Sequence, residues 1–366
     1  MSEILDESAI AAGRGGKGAL GTNRGPVAPV TVAASGIPVI NLGEMLSAKR
    51  SSPAWRIVAQ QVASAIRTAC HDTGFFYIAN HGVPSSLVRA VLDANRDFHA
   101  RPEAEKLALK VNAWLRGYQP MASTQMHSSA RFKPAPAPNQ LESFIISNEI
   151  SADHPAFKKR AFVGPNQWPD DPRFRRTLET YLSATRSLGM SLLPAFSLAV
   201  GQAPEYFDTF FDPPSTTLRL VHYPPSPIVR PDDYLGIYPH TDYGFFTILA
   251  QDNVGGLEIQ RIDGTWVEAP GIADAFIVNI GDAAARWSND DFNSSPHRVI
   301  NKSTEKDRYS VALFFDPNHD TIIRCLDGCV REGEAPKYAP ISFFDYYRER
   351  MDSNHPDRRA ADVPVN

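Results

Sequence analysis

The chain has 366 residues, 43% hydrophobic and 21% charged, with 20 Phe, 12 Tyr and 5 Trp. So much apolar material excludes a wholly disordered chain, and a net charge of −4 leaves no basic excess to neutralise phosphates, so nucleic acid is not an expected partner. No apolar run approaches the roughly 18 residues of a membrane helix, and the acidic start (Glu3, Asp6, Glu7) lacks a signal peptide's pattern. Three cysteines (Cys70, Cys325, Cys329) are too few for a disulfide scaffold, and a reducing cytoplasm is the expected address.

Residues 1–35, rich in Gly and small polar side chains, read as a flexible tail. The remainder, 36–366, reads as one catalytic domain: a mostly helical part over 36–213 and a β core over 214–366. Order is expected from Ile37-Pro38-Val39-Ile40. Ser52-Pro53 then supplies an N-cap and a proline at the first helical position. The helix it opens carries Trp55, Val58, Val62, Ile66 and Ala69 on one stripe, and the run Gly74–Ile78 reads as a buried strand. A second helix follows Pro84. A third runs from Asp171-Pro172 to Gly201, with Pro194 expected to kink it.

After residue 214 the texture changes to LRLVHY, FFTILA, GLEIQRI, TWVEA, AFIVNI, HRVIN and RYSVALFF, rich in β-branched and aromatic residues. Asp263-Gly264 predicts a type I′ hairpin turn. Strands at this spacing predict a barrel or a jelly roll, closed by a last helix near Ser342–Met351. The Pro-punctuated stretch Gln119–Gln140 reads as a lid over the substrate, with Met121, Met126 and Phe132 as apolar contacts and Arg131 and Lys133 as candidate cations.

His240-Thr241-Asp242, read as part of a strand, would project an imidazole and a carboxylate from one face. Alone this is weak. His297 opens a second strand-like segment, and two imidazoles with one carboxylate form a ligand set for non-haem Fe(II), whereas zinc favours a closed tetrahedral set with one water. Arg308-Tyr309-Ser310 places a guanidinium and a hydroxyl on one face, suited to a carboxylate; a surface ion pair is the plainer alternative. Phe245 and Phe246 follow the metal motif on alternate faces, so one is expected to line the pocket and the other to enter the core.

With these residues stand IPVINL, TGFFYIANHGVP, RGYQP, LESFII, RLVHYPP, HTDYGFFTIL, VGGLEIQ, VNIGD, SSPHRVI, RYSVALFF and YAPISFFDYY. From Ile37 to about Met351 the chain resembles the isopenicillin N synthase-like family of Fe(II)- and 2-oxoglutarate-dependent dioxygenases. The resemblance implies a mainly β fold, a double-stranded β-helix (jelly roll) core flanked by N-terminal and C-terminal helices. It implies iron ligation by His240, Asp242 and His297. Arg308 and Ser310 would hold the distal carboxylate of 2-oxoglutarate, with Tyr223 as a hydroxyl donor, and Arg116 and Tyr118 fall where some members contact the prime substrate. Asn279 and Asp282 are expected in turn and supporting roles. The cofactors implied are Fe(II), 2-oxoglutarate and O2, with ascorbate a candidate reductant.

The expected reaction hydroxylates, desaturates or cyclises a small molecule and releases succinate and CO2. Two alternatives stay open here: an Fe(II) oxidase of the same family that does not use 2-oxoglutarate, and a non-catalytic jelly-roll binding protein. A monomer is the default expectation. Ala283-Ala284-Ala285 and Asp290-Asp291 depart from the usual family pattern and leave the subfamily open.

Overall fold

The structure, a computed structural model, describes residues 30–354 apart from 51, 126–131, 155–156 and 158–161. Residues 1–29 of the expected tail, with Met126 and Arg131 of the expected lid, lie outside the described residues.

In chain order the strands are β1 (Val30–Val32), β2 (Pro38–Asn41), β3 (Phe75–Ala79), β4 (Gly117–Gln119), β5 (Glu142–Ser147), β6 (Ser215–Tyr223), β7 (Ile237–His240) and β8 (Phe246–Gln251). There follow β9 (Leu257–Gln260), β10 (Trp266–Glu268), β11 (Ala275–Ile280), β12 (His297–Val299), β13 (Arg308–Asp316), β14 (Ile322–Ile323) and β15 (Ile341–Ser342). The helices are α1 (Gly43–Ser47), α2 (Pro53–Asp72), α3 (Ser85–His99), α4 (Glu103–Leu107), α5 (Pro172–Ala199), α6 (Asp282–Trp287) and α7 (Phe343–Asn354).

Helix α2 starts as its cap dictates: the Ser52 hydroxyl accepts the Trp55 N–H at 3.1 Å, and Trp55, Val62, Ile66 and Ala69 are buried, with Val58 partly so. Helix α5 is capped by Asp171, which accepts from Arg173 and Phe174, and its helical assignment runs unbroken through Pro194.

A nine-stranded sheet has the order β1-β2-β3-β11-β8-β13-β6-β5-β4, and a four-stranded sheet the order β10-β9-β12-β7. Strands β6, β8, β11 and β13 of the first, with all four of the second, make the two faces of the jelly roll. Along β6, Leu218 and Leu220 turn to the core beneath α2, α3 and α5, while Val221 and Tyr223 belong to a second cluster with Leu257, Ile259 and Val299 of the small sheet.

The first half does more than wrap the barrel. It adds β1–β3 to one flank of the large sheet and β5–β4 to the other. Strand β1 lies inside the stretch expected as tail, because Val30 and Val32 pair with Ile40 and Pro38. The hairpin between β9 and β10 also differs from expectation. Gly264 alone has positive φ (86°) and donates to the Arg261 carbonyl, so a turn with ordinary φ at Ile262 and Asp263 is followed by a left-handed glycine. Asp282, expected in a turn, instead begins the short helix α6, whose three alanines are buried.

Candidate active site

His240 ends β7 and His297 begins β12, and the two are direct cross-strand partners. Their rings therefore share a face, with centroids 4.2 Å apart. The His240 Nδ1–H donates to the Tyr238 carbonyl at 2.8 Å and the His297 Nδ1–H to the Ser295 carbonyl at 3.3 Å. A carbonyl only accepts, so each ring carries its proton on Nδ1 and presents a bare Nε2.

Asp242 is not in a strand, contrary to the sequence reading. It lies in the turn after β7, where its carbonyl accepts the Asp282 N–H at 2.8 Å. One carboxylate oxygen, Oδ2, accepts from Asn279 Nδ2 at 2.6 Å and from the Thr247 hydroxyl at 2.5 Å. The other, Oδ1, faces His297 Nε2 at 3.6 Å and His240 Nε2 at 3.9 Å.

Three donor atoms thus converge within 4.8 Å of one another, each aimed by a hydrogen bond on its far side. Such backing is what metal ligands need to hold tautomer and direction. Burial pushes His240 below the ordinary imidazole range, and the neighbouring His297 acts in the same direction. Burial alone would raise Asp242, but the two imidazoles, Asn279 and Thr247 outweigh it and hold the carboxyl below its usual range. Neutral imidazoles and an ionised carboxylate are the protonation states in which these groups bind a divalent metal.

The cluster opens on a cavity of about 480 Å³, to which His240, Thr241 and Asp242 belong. Strand alternation supplies one wall: Ser215, Thr217 and Arg219 from β6, with Phe314 and Asp316 from β13. Further on along that face lie Tyr223, Ser310 and Arg308, which are buried and do not line this cavity. Arg308, only 1% exposed, donates from Nε to the Gly255 carbonyl at 2.7 Å and from Nη2 to Gln251 at 2.9 Å; its Nη1 lies 3.3 Å from the Ser310 hydroxyl. The guanidinium stacks 4.8 Å over the Tyr223 ring. None of these partners is a carboxylate.

Other expected residues are placed differently. Arg116 reaches the cavity wall, but it donates to the Trp114 and Phe162 carbonyls, and burial lowers it to about 10. Tyr118 does not line the cavity: its ring is in the core beside Phe98, and its hydroxyl donates to Glu142, which also accepts from Lys106 and His222 at 2.7 Å each. Gly117 and Gln119 flank it on β4, so alternation sends Tyr118 opposite to Gln119, which does line the cavity. Phe245 fails for a similar reason. It packs against Phe196, Phe207, Phe211 and Trp287, and Phe246 is buried in the same core, so neither lines the cavity. Phe132 is half-buried and Met121 exposed, both away from the cavity wall; Lys133 is exposed, whereas Thr124, Gln125 and Asn139 of the expected lid do line it.

Two residues missed in the sequence are Arg219 and Asp316. Both were legible by stepping in twos, from Tyr223 back to Arg219 and from Arg308 forward to Asp316. Asp316 accepts the Phe245 N–H at 2.7 Å. Its burial pushes the carboxyl up to about 7, with Asp242 adding to the rise against the bond from Phe245. Gly244 is required beside it, because a Cβ there would overlap the Asp316 carboxylate.

The family model described as 2OG-Fe(II) oxygenase superfamily matches residues 214–317, and that described as non-haem dioxygenase in morphine synthesis N-terminal matches residues 37–171. The 2-oxoglutarate-Fe(II) type oxidoreductase hxnY of Emericella nidulans is 37% identical over 298 residues, covering 79% of this chain and 83% of the relative. The chain belongs to the 2-oxoglutarate–Fe(II) oxygenase superfamily. This oxygenase is also 36% identical over 301 residues to the 2-oxoglutarate-dependent dioxygenase citB of Monascus ruber, with 80% of this chain and 88% of the relative covered. Its fold is similar to that of a full-length Neurospora crassa protein crystallised in complex with alpha-KG and thymine, at a TM-score of 0.74 and 27% identity over 88% of this chain and 98% of the other. The protein is therefore an Fe(II)- and 2-oxoglutarate-dependent oxidoreductase. Among the described residues, no helix is long and apolar enough to cross a membrane.

Proposed function

We propose that the oxygenase oxidises a C–H bond of a small organic molecule held in the 480 Å³ cavity, converting 2-oxoglutarate to succinate and CO2. In this reading His240, Asp242 and His297 hold Fe(II), and Arg308, Ser310 and Tyr223 receive the distal carboxylate of 2-oxoglutarate. The observation that carries it is the convergence of two bare Nε2 atoms and one free carboxylate oxygen within 4.8 Å, with His240 and Asp242 of the trio lining that cavity. Bound iron supplies the oxidising chemistry that no side chain of the chain provides.

What the residues themselves do follows from their contacts. The Tyr238 and Ser295 carbonyls keep protons off the metal-facing nitrogens, and Asn279 with Thr247 keeps the Asp242 carboxylate from rotating. Arg308 is a sealed cation whose hydrogen-bonded partners are neutral, so an entering carboxylate gains a bidentate, charge-assisted contact in a medium that strengthens it. The burial of Tyr223 and Ser310 excludes water from that contact.

The test measures succinate formed with Fe(II) against a panel of small molecules, including pyrimidines such as the thymine bound by the Neurospora crassa protein. Substrate-stimulated succinate release that stops on chelation supports the reading. Oxygen uptake with no loss of 2-oxoglutarate would overturn it.

A further inference from the structure

The cavity wall holds a second guanidinium, half-buried, that the co-substrate does not explain. Arg219 stands on β6, with one residue, Val221, between it and Tyr223 on the same face. Its Nε donates to the Ser143 hydroxyl and its Nη2 to Gln119 Oε1, both at 3.0 Å, and the Ser143 hydroxyl in turn donates to Gln119 at 2.9 Å. These neutral acceptors on β4 and β5 aim the group without cancelling its charge. Among the described residues no carboxylate lies within ion-pair distance of Arg219, just as none does for Arg308. Asp316 opposes Ser215 while Ala312 opposes Arg219, which sets the acid about 13 Å farther along the strand.

Charge balance points the same way. Iron(II) held by Asp242 would retain one positive charge, and the 2-oxoglutarate dianion held by Arg308 would retain one negative charge. These would cancel, which would commit to the metal the one carboxylate, Asp242, whose charge acts on Arg219; Arg219 and Arg116 are the two arginines that line the cavity, beside the acids Asp316 and Asp320. Desolvation at the cavity wall works against the Arg219 charge, and a ligand that supplies a counter-charge relieves it. A planar fork with some donors already fixed favours a planar anion.

We propose that Arg219 is the specificity-determining residue for the prime substrate and that this substrate is a small carboxylic acid whose carboxylate pairs with it. The assignment rests on the oxygenase reading of the same cavity. It implies that the Gln119–Ser143 pair orients the guanidinium, and that the carbon to be oxidised lies on the metal side of the carboxylate.

The experiment loads wild type and Arg219→Gln with Fe(II) and 2-oxoglutarate under argon. Melting and calorimetric titration are then read with acetate, benzoate and phenylacetate, each against its primary amide. In wild type at least one acid is expected to bind tenfold or more tighter than its amide and to raise the melting temperature. In Arg219→Gln that ratio falls to about one, and the ligand-free melting temperature is equal to or above that of wild type, because an uncompensated charge has been removed. No acid-over-amide preference in wild type overturns the proposal. So does an Arg219→Gln protein that melts several degrees lower yet keeps the preference, since the arginine is then structural. Binding of 2-oxoglutarate is the control: its absence in wild type sinks the oxygenase reading, whereas its retention beside an unchanged preference sinks only the role of Arg219.

Discussion

Strands β6 and β13 carry two polar stations on one face, and the stations are built differently. At one end Arg308, Ser310 and Tyr223 are sealed, and the guanidinium is held by Gly255, Gln251 and the Tyr223 ring. At the other end Thr217, Arg219 and Asp316 open on the cavity. The metal-ligand cluster borders the open end. A sealed, fully braced cation suits one ligand of fixed shape, while the open end can change its side chains without disturbing that contact. A shared co-substrate and a private substrate can thus be served by the same two strands.

The largest test of this contrast strikes the cluster that both stations serve. Asp242→Ala removes its only anionic ligand, so iron binding measured by metal analysis should be lost and turnover should fall by more than ~100-fold. Full activity in that variant would break the comparison at its root. Arg308→Ala strikes the sealed station alone. Removing one partner of a buried charge pair costs about 2–5 kcal/mol, so the 2-oxoglutarate concentration for half-maximal rate should rise by roughly 30-fold or more, with iron still bound.

Asp316 sharpens the contrast through pH. Its folded pKa of about 7 lies above the ordinary 3.8, so the folded protein holds a proton that the unfolded chain has released. Stability is therefore unaffected below about pH 4, falls as pH rises from about 4 to about 7, and stays reduced above that. Asp316→Asn keeps an acceptor for Phe245 and removes the ionisation. In metal-free protein it should be more stable than wild type at pH 8 by on the order of 4 kcal/mol and equal at pH 4, as read by denaturant titration. A constant difference at both pH values would refute the raised pKa. The smallest effect is expected off the cavity: Tyr118→Phe loses the bond to Glu142 and about 1–2 kcal/mol of stability, with no change in substrate KM.

The readings that failed share one cause. Tyr118 and Phe245 were placed at the site by position in a motif, yet β4 alternation turns Tyr118 to the Glu142 network, and five aromatic neighbours enclose Phe245. Asp242 was placed rightly at the site for the wrong local reason. It reaches the cluster from a turn, steered by Asn279, Thr247 and the Asp282 N–H, groups 37, 5 and about 40 residues away in the chain. Strand β4 was not read as a strand, because three residues that are all buried show no alternation.

From the sequence alone came the helix starts at Ser52 and Asp171, the strand-rich second half, the metal-ligand trio and the Arg308–Ser310 pair, because caps, period-two alternation and ligand chemistry are local properties of a few side chains. Which polar groups would be left without a counter-charge was decided only when nine strands from both halves were laid edge to edge. Compensation of a buried charge depends on what lies within about 4 Å in space, and no spacing along the chain records that distance.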